Sequence, residues 1–513
     1  MEYVAALDVG STNLKCQIFS SKFDIVGSSI QELIVVKPHH GWEEIDPEEL
    51  MNSIEDVIQK ALKDAGIKSN MVKILGLSTQ RNTFITWNKS TRQCYHKFIT
   101  WKDSRSSIII EKLNKSILLN ACIKFVRYIS KILGFICSSK QLKLAKSFLF
   151  TNAQILPKLI WLLENNHDFK EGVRRNEVQF GTLDTWLLHR ASKGLLHITD
   201  FSCASSTGLF NVFTMKWLPK MILQFFGLNN NMFPEICDTN LSKYKYYDIH
   251  ISNIPLKISI ADQSASLFGT GCFLKNTAKV TMGTGMFLDI NCGQLPSVYS
   301  GFYPLVGWQF DNEMCYTVEA VDQNCGSLIS LGKSIGLYDN LKELNELSSI
   351  SEKPSVNDIL FVLPDSKSSK YNEDDYSFIG QTAITTKVEM TKSILDSFAF
   401  RIKKRLDKLH KEMPEMKPKI LWVDGGVSRN NYICQTLANT TSTVVIRMKN
   451  SYKTEISCLG VAFMAGLSSG IWSNKDLKMF RMTTDEKFVP QDENYIEYEC
   501  RYIRWLYSQQ CIY

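Results

Sequence analysis

Between residues 258 and 290 the chain carries two strand-like runs that end in residues suited to phosphate chemistry. The mostly apolar run 258–261 stops at Asp262-Gln263, and Val280-Thr281-Met282 runs into Gly283-Thr284-Gly285. An apolar run that steps into an acid puts a carboxylate at the carboxyl end of a strand, where open α/β sheets place their ligands. The Gly-Thr-Gly turn lets backbone amides approach an anion closely. Transfer of a phosphoryl group to an alcohol needs such a carboxylate beside such a turn. Each piece alone also fits a helix cap or a plain hairpin.

Two further segments repeat the pattern. Near the amino terminus, residues 3–7 (YVAAL) lead into Asp8, then Val9-Gly10-Ser11-Thr12-Asn13-Leu14-Lys15, then renewed strand character over 16–20. The spacing predicts a hairpin whose small-residue turn can wrap phosphate oxygens, with Asp8 placed to hold Mg²⁺ directly or through water. Residues 420–423 (ILWV) lead into Asp424-Gly425-Gly426 and a polar turn, with a helix expected from about Asn431 that carries Ile433 and Leu437. Glycines there let a flat base or ribose lie against backbone. The segment 455–462 (EISCLGVA) opens another helix, with small residues suited to close packing.

With Gly76-Leu77-Ser78-Thr79-Gln80-Arg81, Thr100-Trp101-Lys102-Asp103-Ser104-Arg105 and the segments 180–188 and 199–207, these pieces resemble the FGGY carbohydrate kinases in order and over nearly the whole chain. Within that family the chain is most similar to the glycerol kinases, their animal branch above all. The resemblance implies an α/β architecture of two ribonuclease-H-like domains, as in actin, hexokinase and Hsp70, with ATP bound in the cleft between them. The strand-then-turn openings of the two halves imply two α/β domains independently. We place the boundary near 255, after the Lys- and Tyr-rich linker 243–250, giving domains 1–255 and 256–513.

The resemblance also assigns roles. Asp262 is expected as the general base toward a primary hydroxyl of glycerol, with Gln263 hydrogen-bonding the alcohol. Arg81 and Asn82 bind its hydroxyls, while Trp101 and Phe287 cover its carbons. Ser11, Thr12, Asn13, Lys15 and Thr284 match phosphate contacts. Gly326, Gly426 and Asn430 match positions around the nucleotide. ATP and Mg²⁺ are the expected cofactors.

Departures from the family pattern bear on the acceptor. An Arg-Glu pair is usual where Arg81-Asn82 stands, so a charged acceptor has become a neutral amide with roughly half the hydrogen-bond strength. A tyrosine of the usual glycerol pocket aligns with Ala153, and Ser330 stands where a glutamine is frequent. Lys15 replaces an arginine and loses the bidentate fork. A Gly-rich, Trp-containing loop is replaced by the polar segment 365–375. Three readings follow: a glycerol kinase, a kinase of another polyol or ketose, or a weakly active kinase fold used for binding or regulation.

A length of 513 residues suits at least two large domains. No apolar run is long enough to span a membrane, and strand character begins too early for a signal peptide. The 14 cysteines show no CxxC or zinc spacing and read as reduced thiols, consistent with a cytoplasmic protein. The net charge of +7 is concentrated in the basic stretch 112–163. That stretch reads as a solvated helical face in preference to a membrane surface, and no nucleic-acid motif accompanies it. A homo-oligomer is left open.

Overall fold

A computed structural model describes residues 2–116, 150–283, 285–322, 324–350, 358–363, 376–449, 455–491, 493 and 495–511. The polar loop 365–375 and residues 117–149 of the basic stretch lie outside the described residues.

The amino-terminal run folds as the expected hairpin, Tyr3–Val9 against Asn13–Ser20, with Val9 opposite Leu14 across the turn. Ile25–Glu32 continues the antiparallel side. On the other side Val72–Thr79 and then Ile254–Ala261 run parallel to Tyr3–Val9. The second sheet repeats this plan. Ala278–Met282 and Met286–Gly293 form a hairpin and Glu313–Asp322 extends it antiparallel. Ile420–Asp424 and Val444–Met448 add parallel strands. Two sheets with the same strand order and directions are the duplicated ribonuclease-H-like architecture that the resemblance implied.

Helix Pro47–Ala65 covers one face of the first sheet. The Asp46 side chain accepts from the Glu48 and Glu49 amides, Pro47 opens the first turn, and Gly66 closes the helix at φ +65°. Its stripe Leu50, Ile54, Val57, Ile58 and Ala61 packs on Leu7, Leu14, Leu75 and Leu77. The opposite face receives helix Ile456–Ser469, where Val461, Ala462 and Ala465 meet Val4, Ala6, Ile74, Ile258 and Ile260. Late chain is thus built into the first half. Helix Asp262–Gly269 lies against that same helix. In the second half, helix Lys387–Glu412 starts with a Thr386/Glu389 capping box and buries Ile394, Leu395 and Phe398. Helix Asn431–Thr441 starts where expected, with Ile433 and Leu437 buried. The tail closes with helix Tyr495–Cys511, whose buried Trp505 donates its indole N–H to the Phe361 carbonyl.

Two expectations change. The boundary at 255 cuts through a strand of the first sheet, because Ile254–Ala261 pairs with Val72–Thr79. Segment 243–250 is no linker: Tyr244 is buried and His250–Ile251 pairs at that sheet's edge. An alternating apolar strand needs a sheet to bury it, and the available edge belonged to the first half. The basic stretch is also not uniform. Lys112 and Lys115 are exposed, but Lys158 is fully buried and donates to the Thr100 and Trp101 carbonyls at 2.7 and 3.2 Å.

Cys16, Cys203, Cys237, Cys272, Cys292, Cys315, Cys325, Cys434 and Cys458 are buried thiols, and Cys94 and Cys500 are half-buried. No helix among the described residues is long and apolar enough to cross a membrane.

Candidate active site

In the first sheet, three parallel strands end side by side. Asp8 lies opposite Ser78, and Ser78 opposite Ile260, so Asp8, Arg81 and Asp262 emerge at the same carboxyl edge. Both Asp8 oxygens are held, Oδ1 by the Ser78 hydroxyl at 2.7 Å and Oδ2 by the Ser457 hydroxyl at 2.8 Å. Burial raises the Asp8 pKa, although Lys15 and the two hydroxyls pull against it. Lys15 bridges to Glu455 at 2.9 Å. Burial alone would lower its pKa, but Asp8 and Glu455 more than reverse this and raise it. Lys15 therefore pins the first hairpin to the start of helix Ile456–Ser469. In the turn, the Gly10 amide donates to the Asn13 carbonyl at 3.1 Å. Ser11 is half-buried, Thr12 exposed, and Asn13 begins the second strand.

Asp262 is the first residue of helix Asp262–Gly269, and its Oδ1 accepts from the Gln263 amide at 2.8 Å. The side chain, 26% exposed, opens on the cleft, and Arg81 Nε lies 3.9 Å away. Protein walls on either side keep bulk water back. That desolvation pushes the Asp262 carboxyl up to about 6, with Arg81 lowering it and Asp8 raising it. Arg81 also bonds Glu319, which arrives from the second sheet. Asn82 adopts φ +61°, a left-handed conformation that asparagine tolerates. Its Oδ1 is buried with no hydrogen-bond partner among the described residues, leaving an acceptor for a ligand hydroxyl.

The second sheet supplies the facing wall. Lys279 donates to Gln263 Oε1 at 2.9 Å and Thr281 donates to the same oxygen at 3.2 Å. This leaves the Gln263 amide nitrogen to donate into the cleft. Phe287 lies opposite Thr281 in the ladder, which places its ring on the face that meets Gln263. Thr284 lies outside the described residues. Gly426 has open space where a side chain would stand, as does Gly283, so a flat ligand can lie against that backbone. The obligatory glycine of the pair is Gly425: at φ +89°, a Cβ would lie 2.4 Å from the Met282 carbonyl. The Asn430 side chain caps helix Asn431–Thr441 and donates to Asn345 and Ser348, lining a cavity of about 590 Å³ with Arg429 and Tyr432. Gly326 opens helix Gly326–Ser334, just after the strand that carries Glu319.

Trp101 is half-buried, with Lys102 Nζ 5.4 Å from its ring, and its carbonyl is held by Lys158. Burial pushes the Lys158 amine down to about 7. Ser330 is exposed and donates back to its own helix, to the Gly326 carbonyl. Sequence reasoning passed over Ser78, Ser457, Lys279, Asp289 and Glu319. The signal for the last three was present: each is a charged residue inside an otherwise apolar strand, where charges are rare unless paired.

The chain matches the FGGY family of carbohydrate kinases, N-terminal domain over residues 3–269 and C-terminal domain over residues 278–469. The gap between the two matches follows helix Asp262–Gly269, consistent with the first sheet ending at Ala261. Human glycerol kinase 5 is 35% identical over 510 residues, covering 98% of this chain and 94% of that protein. Glycerol kinase of Bacillus subtilis is 29% identical, covering 96% of this chain and 95% of that one. The structure of Plasmodium falciparum glycerol kinase with ADP superposes with a TM-score of 0.82 at 24% identity, over 99% of this chain and 98% of that chain.

Proposed function

We propose that this chain, which belongs to the FGGY family of carbohydrate kinases, transfers the γ-phosphoryl group of ATP to a primary hydroxyl of glycerol. The convergence of Asp262, Arg81 and Gln263 in one cleft carries this reading. In it, Arg81, Asn82 and the Gln263 amide orient the acceptor, and Trp101 and Phe287 lie along its carbons. Asp262 accepts the hydroxyl proton while that oxygen bonds the γ-phosphorus and the bond to the bridging oxygen breaks, releasing ADP. The small-residue turn at 10–13 and the backbone of Gly283 and Gly285 face the triphosphate, and the cavity beside Asn430 takes the base. The donor set fits Mg²⁺. Each Asp8 oxygen spends one lone pair on a serine hydroxyl and keeps another for a water of the ion's shell. When bound, the ion neutralises phosphate charge. Closure of the two halves keeps water from competing with the acceptor.

The neutral Asn82 favours a second reading, a polyol or ketose other than glycerol as acceptor. The deciding assay is ADP release by purified protein with MgATP and glycerol, followed by a polyol and ketose panel. Glycerol-dependent release establishes the first reading, and release only with a panel member establishes the second. Silence throughout, with MgATP still bound, leaves a kinase fold kept for binding.

Two predictions follow for the active acceptor. Asp262 must be ionised to take a proton, and its folded pKa is about 6. The kcat/KM is therefore expected to be level above pH 7 and to fall about tenfold per unit below pH 6. A profile flat down to pH 5 argues against this base. Arg81→Ala is expected to raise the acceptor KM about tenfold or more, with the KM for ATP little changed. A change confined to ATP would place the acceptor elsewhere.

A further inference from the structure

Asp262 reaches the cleft at the end of strand Ile254–Ala261, and only the inner edge of that strand is paired to its end. There, Ile258 to Ala261 ladder with Val72–Thr79. On the outer edge the neighbouring strand His250–Ile251 reaches no further than Pro255, and a single bridge joins Ile258 to Asn240. The outward amides of Ser259 and Ala261 are buried and need acceptors from elsewhere. The Ser259 amide donates to the Thr239 carbonyl at 3.0 Å. The Ala261 amide, one residue before Asp262, donates to the Ser202 hydroxyl oxygen at 2.8 Å.

Ser202 is itself braced. Its hydroxyl has one proton, given to Asp200 Oδ1 at 2.6 Å, so the oxygen meets the Ala261 amide purely as an acceptor. A hydroxyl that donates to a carboxylate is also the stronger acceptor. Asp200 caps helix Phe201–Ser206 through the Cys203 amide at 2.8 Å and takes the Thr239 hydroxyl on its other oxygen at 3.1 Å. Asp184 in turn accepts the Asp200 amide at 3.2 Å, with the Thr182 and Thr199 hydroxyls. One turn along the helix, Ser205 accepts from the Val306 amide at 3.0 Å. Burial first, with Asp184 alongside, pushes the Asp200 carboxyl up to about 6. Two carboxylates side by side in a buried site cost stability, and apolar residues would fill it more easily. What the pair holds in place is the acceptor for the Ala261 amide.

We propose that Ser202 is a positioning residue for Asp262: braced by Asp200 and Asp184, it fixes the backbone just before the carboxylate and so sets where the proton acceptor stands in the cleft. The inference rests on the kinase reading above. Ser202 is buried and acts through Asp262, so it bears on kcat and not on the KM of either substrate. A displacement of about 1 Å at such a group costs up to about 10²-fold in rate.

The test is Ser202→Ala, assayed with MgATP and glycerol, or with the panel acceptor that wild type uses. The kcat is expected to fall about tenfold, with both KM values within about twofold of wild type. Ser202→Thr, which keeps the hydroxyl, is expected to recover most of the loss. In the Asp262→Asn background, Ser202→Ala is expected to cost little more, because the group that it positions has gone. A merely structural role would lower the melting temperature and leave these ratios unmoved. An unchanged kcat, no recovery with threonine, or a further loss of about tenfold in the Asp262→Asn background overturns the proposal. If Ser202→Ala does not fold, Ser202→Cys is read by the same criteria, since a thiol fills the site but accepts weakly. A wild type that phosphorylates nothing overturns the kinase reading and this proposal together. A wild type that turns over while Ser202→Ala matches it overturns this proposal alone.

Discussion

Asp262→Asn is expected to lower kcat by about 10²–10⁴-fold while the protein still folds and binds MgATP. The asparagine has the same shape, and its Oδ1 can still accept from the Gln263 amide, the bond that orients Asp262 now. The group lost is a partly exposed carboxylate that lies beside Arg81. Asp8, its neighbour, accepts one serine hydroxyl on each oxygen. The cavity beside Asn430, proposed to take the base, lies on the other half and is not lined by Asp262. Steady-state turnover with the active acceptor, alongside a calorimetric titration of MgATP, checks both halves of the claim. Turnover near wild type would remove Asp262 from the chemistry. Loss of MgATP binding would mean the aspartate holds the nucleotide.

Gly460→Ala is expected to destabilise the fold by more than about 3 kcal/mol. The sign is not obvious from the helix itself, because alanine is the better helix former by about 1 kcal/mol. Packing reverses it. A Cβ on Gly460 would lie 1.7 Å from the Ala265 carbonyl oxygen and 2.8 Å from the Gly269 nitrogen. Gly269 is equally tight in return, 2.4 Å from the Ile456 carbonyl oxygen. Both obstacles are backbone, so no rotamer change relieves them. Helix Asp262–Gly269 would have to move away, and Asp262 sits in its first turn. A urea unfolding curve reads the stability, and any folded variant should also show reduced kcat. A Gly460→Ala protein more stable than wild type would mean the helices do not cross this closely.

Much of the site was legible because its chemistry sits at element ends. Asp8, Asp262 and Asp424 each follow an apolar strand, and a polar residue ending such a run marks a sheet edge whatever the fold. The small residues at 455–462 announced a close helix crossing. The domain boundary was misplaced because strand Ile254–Ala261 looks the same whichever sheet it joins; pairing with Val72–Thr79 is a choice of partner, not of local pattern. Gly426 was singled out where Gly425 is the strained one, since two adjacent glycines differ only in the φ that the turn imposes.

What the chain determined by itself was a set of candidate groups and the strands that carry them, because alternation, small-residue turns and a carboxylate at a strand end are local properties. What the tertiary structure decided was the partnership. Glu319 meets Arg81 from 238 residues away, and Ser457 completes Asp8 from 449 residues away. Those contacts exist because two duplicated sheets face one cleft and a late helix packs against the first of them. Hydrogen bonds act over about 3 Å, so only the packed fold selects which of many charged side chains become neighbours.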